Sequence, residues 1–531
     1  MSKPELDTCH PNRALVQSVA LELPKPSLDD NSADLDRLLK GLAGSGFKTV
    51  SVKPATIGRF VRKIRDFDFR LRAVLGYTQH NWDLLDLLPE SPASPLLAFA
   101  IDLGTSSLAF RLLDLATGNT IGEASVPNPQ ISAGEDILTR ILLASTPDGL
   151  EKLRSMVLNA CAHAMQSALD AAGFSPENVY AVACAGNTAM THFFWGVDPS
   201  GICREPYIPS ANTFPLCRTE EVGLDIFPNA ILYTFPNVGS YVGGDIVAGI
   251  LAAGLHRKTR PGMLVDVGTN AEVVLGSSEW LLACAGAAGP ALEGGVFERG
   301  MQACAGAIDR VRIDPKTLEP AWTVIGGAKP KGVCGSGLID LVAEMFASGI
   351  LTVQGRFNRT KKSPRFRQTP DGIAYALAFA SESADGREIL VSELDIGVFL
   401  KSKAAMYTIL SVITAKVGLK FEDIDRIFIA GNFGNRIDPE MAVRIGMIPD
   451  LPPIAFRAIG NSSLLGSSML LLDRTLLEEA DEVRRKITYI ELNVNMELMN
   501  EFRGALFLPH TNRRLFPSVR IQDVRKRPAG V

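Results

Sequence analysis

An apolar strand that ends in Asp, turns through x-Gly-Thr and doubles back as a second apolar strand occurs twice in this chain. The first copy reads Leu97-Ala-Phe-Ala-Ile-Asp102-Leu-Gly104-Thr105-Ser106-Ser-Leu-Ala-Phe, and the second Gly262-Met-Leu-Val-Asp266-Val-Gly268-Thr269-Asn270-Ala-Glu-Val-Val-Leu. One such hairpin is an ordinary turn in which Asp caps and Gly bends. Two, in the same strand context and about one subdomain length apart, require a chain built as two similar halves. The residue types suit a phosphate. Glycine lets backbone N–H groups approach an anion closely, and the hydroxyls of Thr105, Ser106 and Thr269 add donors. A carboxylate cannot bind phosphate, but it can hold Mg²⁺ directly or through water. Asp102 and Asp266 are therefore the candidate metal ligands. Two facing hairpins can clamp a nucleotide from opposite sides of a cleft.

Three further glycine turns fall in an order that agrees with this. Asn178–His192 is a strand running into Gly186-Asn187-Thr188 and then a helix. Asn187 and Thr188 are cleft candidates, although a plain turn has the same sequence. Lys331-Gly-Val-Cys334-Gly335-Ser336-Gly337 opens an apolar helix whose first N–H groups can meet an anion. Arg426-Ile-Phe-Ile-Ala-Gly431-Asn-Phe433-Gly434 is a strand and turn suited to backing an adenine or ribose. Glu293 can orient a water, or it can serve as a helix cap or ion-pair partner. Cys334 reads as a buried, inert thiol, the alternative being a reactive one. His192 and His510 have no partner histidine at metal spacing, so no zinc site is assigned.

Composition narrows the function classes. The 531 residues are 46 % hydrophobic and 21 % charged with a net charge of −4. That is a globular chain with no basic footprint for nucleic acid or an anionic membrane. The first residues lack the apolar core of a signal peptide, and no uninterrupted apolar run reaches the ~20 residues of a membrane span. Eight cysteines stand apart with no C-x-x-C among them. This fits unpaired thiols in a reducing cytoplasm and gives no ligand run for an iron–sulfur cluster.

The expected architecture is α/β throughout. Residues 1–18 read as a flexible lead-in, 19–88 as a small α/β unit with helices near Ser32–Leu42 and Pro54–Ile64, and 89–95 as a Pro/Ser linker. A duplicated core that resembles the RNase H-like, actin-type ATPases follows over 96–518, its first half at about 96–255 and its second at about 256–518. Within it, Gly355–Arg387 reads as a surface excursion, and the segment after Ala480 as β-rich. Residues 519–531 form a basic flexible tail.

These segments, in this order, match the phosphate-1, connect-1, phosphate-2 and adenosine segments of the acetate and sugar kinase/Hsp70/actin superfamily. Val126-Pro-Asn-Pro-Gln, Ala285-Gly-Ala-Ala-Gly-Pro-Ala-Leu-Glu-Gly-Gly, Gly300-Met-Gln-Ala, Ala430-Gly-Asn-Phe-Gly and Leu508-Pro-His narrow the resemblance to the reductive activators of corrinoid proteins. Leu23-Pro-Lys-Pro-Ser-Leu-Asp-Asp-Asn resembles the middle domain that precedes the ATP core in those proteins, so the likeness spans residues 19–518. The resemblance implies ATP and Mg²⁺ as cofactors, a corrinoid methyl-carrier protein as partner, and the return of its cobalt from Co(II) to Co(I). It also suggests a homodimer. Family members carry a ferredoxin-like domain, and this chain begins where an N-terminal one would have ended. The electron is then expected from a separate iron–sulfur or flavin protein. Two other readings of the same fold stay open: a small-molecule kinase, and an ATP-switched binding protein.

Overall fold

The computed structural model describes residues 13–91, 94–268, 271–286, 297–370, 372–434, 436–491 and 496–520. The chain forms two units: residues up to 254 together with 462–487, and residues 255–461 together with those from 488 onward. The second half expected as a continuous 256–518 is thus interrupted.

The first unit opens with a four-stranded sheet in the order Val16–Glu22, Arg70–Tyr77, Trp82–Pro89, Val50–Ser51. Val16 already pairs with Gly76, so the lead-in is shorter than the sequence suggested. Helices Asp34–Gly44 and Ile57–Asp66 cover this sheet, the first turning Leu38 and Leu42 inward and the second Phe60 and Ile64. That spacing of three to four residues is one face of a helix. The turn before the first helix, Pro26–Asn31, has the residue types of a cap. Instead the Ncap residue is Ala33, and the buried Arg37 guanidinium gathers the turn, donating to Pro24 O, Asp30 O and Ser32 O and pairing with the Asp30 carboxylate.

The main sheet of the first unit runs Thr120–Pro127, Ser107–Asp114, Leu97–Leu103, Val179–Gly186, Ile231–Thr234, Cys217–Arg218. The first three strands are antiparallel neighbours, and the next two join in parallel. The second unit repeats the plan with Leu281–Gly286, Ala271–Gly276, Gly262–Val267, Ile427–Ala430 and Phe456–Gly460. Both central strands are apolar almost without alternation, as strands covered on two faces must be. In each half an apolar helix follows the fifth strand, Gly244–Ala253 and Ser462–Leu472. The second of these packs in the first unit, where a Cβ on Gly466 would lie 2.1 Å from Ala248 O. Close backbone approach of that kind admits only glycine. Asn178–His192 is the strand, turn and helix that its sequence predicts: Val179–Gly186 is the fourth strand of its sheet and Thr188–Trp195 the helix, with Ile427–Gly434 in the same place in the other half.

In the second unit the 24-residue helix Glu393–Lys416 runs through the core. By length and composition it would pass for a membrane span, but 72 % of its apolar 18-residue window is buried in protein. The region Gly355–Arg387 is more than an excursion: Phe366–Thr369 and Gly372–Ala378 pair with each other and with Ile389–Ser392, burying Tyr375 and Leu377. Among the described residues after Ala480 the one strand is the short Ile487–Tyr489, against the end of helix Leu476–Lys486 and helix Met496–Ala505, so the β-rich expectation is corrected. The basic tail beyond residue 520 lies outside the described residues.

Candidate functional site

Each half ends its first strand at a half-buried carboxylate. Asp102 stands opposite Ala109 and Ala185 in its sheet, and Asp266 opposite Glu272 and Ala430. The next residue along the chain is Gly186, the last of its strand, in one half and Gly431, the first beyond its strand, in the other. A Cβ on Gly186 would sit 2.9 Å from Leu103 O, and one on Gly431, at φ +82°, 2.8 Å from Val267 O. The same glycine therefore clears the same shelf beside each Asp. Gly104 makes its own tight turn, since a Cβ there would lie 2.4 Å from Ser107 O. Thr105 is half-buried and Ser106 exposed.

The first turn is braced from behind. Asn187 Nδ2 donates to Thr105 Oγ1 at 2.9 Å, while its Oδ1 caps helix Thr188–Trp195 at Met190 N. Asn128 of the Val126-Pro-Asn-Pro-Gln segment donates from Nδ2 to Gly104 O at 3.0 Å and from its backbone N to Ser106 O at 3.0 Å. Arg140, fully buried in helix Ile137–Leu143, donates to Thr105 O at 2.7 Å, Gly134 O at 2.8 Å and Glu135 O at 3.4 Å. None of this bracing was anticipated. A lone Arg in Ile-Leu-Thr-Arg-Ile-Leu-Leu was the available sign.

A second omission is Asp245, which begins helix Gly244–Ala253 and accepts from Ile246 N at 2.8 Å. The preceding Gly243 lies against the Gly186–Asn187 backbone, with 2.5 Å from a would-be Cβ to Asn187 Cα. Gly243-Gly244-Asp245 ahead of an apolar helix was the sequence signal. Thr188, by contrast, is buried and spends its hydroxyl on Gly239 O at 2.6 Å, so it serves the turn.

In the second half, Gly431–Gly434 forms a single helical turn after strand Ile427–Ala430. Of Phe433 only the backbone is described, and Thr269, Asn270 and Glu293 lie outside the described residues. Helix Gly335–Ala347 starts against strand Ala307–Ile313: Ser336 Oγ donates to Asp309 O at 3.2 Å, and a Cβ on Gly337 would meet Ile308 O at 2.3 Å. The Ser336 hydroxyl and the Cα of Gly337 are thus engaged by that strand. Arg436, just after the Gly431–Gly434 turn, reaches the Asp309 carboxylate at 3.4 Å and ties the turn to that strand.

The remaining candidates are structural. Cys334 is buried with Sγ 3.3 Å from Ile308 O. His192 is buried between Thr188 O, at 2.6 Å from Nδ1, and Ala211 N, which donates to Nε2 at 3.2 Å. That arrangement is a neutral imidazole, and burial pulls its pKa below the usual histidine value. Among the described residues no three His, Cys, Asp or Glu side chains gather as around a metal ion.

Two halves of one topology, each with an Asp at the end of its first strand and a glycine shelf beside it, define the class: an ATPase-type fold of the acetate and sugar kinase/Hsp70/actin kind. Family models narrow this. Residues 260–520 match the C-terminal ASKHA domain of RACo, 97–258 its middle region and 12–93 its linker region. The small N-terminal unit is therefore the linker region, and the middle region is the first half of the core. A solved reductive activator for corrinoid, iron–sulfur protein is 37 % identical, with 98 % of this chain and 82 % of that one covered at a TM-score of 0.88. The corrinoid activation enzyme RamQ of Eubacterium limosum is 28 % identical over 428 residues, 79 % of this chain and 72 % of that protein. The Co(II) methylated amine-specific corrinoid protein reductase of Methanosarcina barkeri is 24 % identical over 446 residues, 77 % and 76 %. The chain belongs to the family of reductive activators of corrinoid proteins.

Proposed function

We propose that this protein returns the cobalt of a corrinoid methyl-carrier protein from Co(II) to Co(I), one electron per cobalt, in a step driven by Mg-ATP. The observation that carries this is the 37 % identity to a reductive activator across 98 % of the chain. Nucleotide fit is supported by the shelves at Gly186 and Gly431, where any Cβ would collide with backbone, and by the half-buried carboxylates beside them. Asp102 and Asp266 would carry Mg²⁺, directly or through water, and the Gly104–Ser106 turn the phosphates. The metal would neutralise phosphate charge. The electron is assigned to a separate iron–sulfur or flavin protein, because none of the cysteines in this sequence stands in a C-x-x-C pair. A cytoplasmic location suits the free and exposed thiols of Cys203 and Cys304.

The test is an anaerobic mixture of the protein, Mg-ATP, a cob(II)alamin-loaded corrinoid protein and a low-potential reductant, followed by visible absorbance. Formation of the Co(I) band only when both protein and Mg-ATP are present is the expected result. No Co(I) with any corrinoid protein tried, while nucleotide still binds, would move the assignment to another ATP-dependent task.

A further inference from the structure

The turn Gly104–Ser106 is gripped by its carbonyls, and the grip comes from two buried side chains. Asn128 is 1 % exposed and Arg140 fully buried. Asn128 Nδ2 takes Gly104 O, and Arg140 Nη1 takes Thr105 O. A trans peptide is planar, with its C=O and the following N–H pointing in opposite directions. Tying Gly104 O and Thr105 O back toward the protein therefore turns the N–H groups of Thr105 and Ser106 the other way, out of the turn. Two successive outward N–H groups make a concavity that suits an anion.

A buried guanidinium is costly to desolvate, and an apolar side chain of similar volume would fill the same space more cheaply. Arg140 spends its donors on three carbonyls, one of them in the turn and two in the Gly134–Glu135 loop. Asp136 stands at the Ncap of the same helix, its carboxylate held by Thr139 N and Thr139 Oγ1 at 2.8 and 2.6 Å. The helix is thus fixed at its start and presents Arg140 to the turn in one orientation.

We infer that Arg140 and Asn128 are positioning residues that aim the Thr105 and Ser106 amides at the phosphates of the nucleotide. The inference rests on the nucleotide reading above. Neither side chain touches the nucleotide; each acts through a carbonyl of the turn. The consequence is selective. Losing the grip weakens recognition of phosphates and leaves recognition of the nucleoside alone.

The experiment compares full-length wild type, Arg140→Met and Asn128→Asp. Asn128→Asp keeps the acceptor for Gln130 N and replaces the donor to Gly104 O by an oxygen. Binding of Mg-ATP and of adenosine is measured by calorimetry, with a thermal melt to establish folding. The expected result is a tenfold or greater rise in the Mg-ATP dissociation constant with adenosine unchanged within twofold. Folded variants with unchanged Mg-ATP affinity overturn the proposal, and so does an equal loss for ATP and adenosine, which would mark general damage. If Arg140→Met does not melt cooperatively, Asn128→Asp decides by the same criteria. A wild-type protein that binds no Mg-ATP overturns the nucleotide reading itself and this inference with it, and wild-type binding separates the two failures.

Discussion

At the scale of single residues, the nucleotide reading proposed above rests on the two aspartates and two glycines of the repeat. Asp266→Ala is expected to raise the Mg-ATP dissociation constant about tenfold or more, roughly 1.4 kcal/mol, in a calorimetric titration of an otherwise folded protein. An unchanged constant would remove Asp266 from the site. Gly431→Ala acts differently, because φ +82° strains any L side chain and a Cβ meets Val267 O at 2.8 Å. A loss of about 1–3 kcal/mol in denaturant unfolding is expected. His192 supplies a pH prediction. Its folded-state pKa lies below the ordinary 6.5 because the ring is buried. Both states are neutral above that pH, so its contribution is fully present there. As pH falls below 6.5 the unfolded chain takes up the proton first. Stability then declines by up to about 1.4 kcal/mol per pH unit until the folded-state pKa is reached. Urea midpoints between pH 7.5 and 5 test this, and His192→Gln should flatten the slope. The repeat was legible in the sequence because Asp and Gly are demanded by backbone geometry at fixed offsets. Arg140 and Asn128 were not, since a positioning side chain is defined by where a distant carbonyl happens to lie.

At the scale of elements, helices were legible and the end of the chain was not. Ile57–Asp66 announces itself by its apolar spacing, whereas Ile487-Thr-Tyr-Ile-Glu alternates like a strand and, among these described residues, is one for three. One of the long-range groups that order the C-terminal segment is a buried lysine. Lys403, fully buried in helix Glu393–Lys416, donates to Ala505 O at 2.5 Å, Phe507 O at 2.8 Å and Pro509 O at 2.6 Å. Three ammonium protons meet three carbonyls, which is a physical reason for the Leu508-Pro-His segment. Gly446 completes the fit, because a Cβ there would lie 2.1 Å from Pro509 O. Burial pushes the lysine's pKa down, and the three acceptors oppose that by holding the charged form. Lys403→Met leaves three buried carbonyls without a donor, and a loss of about 3–5 kcal/mol is expected. Hydrogen exchange locates the effect: amide protection should fall over residues 496–516 and persist in strand Gly262–Val267. Uniform loss across the second unit would show that the lysine supports the whole core rather than the segment.

At the scale of the whole molecule, the chain order and the packing order differ. Residues 462–487 belong to the first unit although more than two hundred residues separate them from its end at 254. Ser462–Leu472 and Leu476–Lys486 bury Leu464, Leu465, Leu470, Leu471, Leu472, Leu476, Leu477 and Val483. At about 2 kcal/mol for each large aliphatic side chain, that is on the order of 15 kcal/mol, as much as the entire net stability of a domain. The same helices hold the N-terminal sheet. Leu471 O accepts from Leu15 N at 2.9 Å, and Arg474 lies over the rings of Tyr77 and Trp82 at 5.5 and 5.2 Å. A fragment ending at Gly254 lacks all of this and should not melt cooperatively. The same fragment extended by a flexible linker and residues 462–487 should recover a cooperative transition and native near-ultraviolet circular dichroism. Linker length is a weak variable, since doubling it costs only about 0.6 kcal/mol of closure entropy. Cooperative folding of the unextended fragment would mean that the sheet and helix Gly244–Ala253 suffice, and that Gly466 contributes fit rather than the fold. Failure of the extended fragment, with the full chain folded, would mean that residues 462–487 need the second unit to take their helical form.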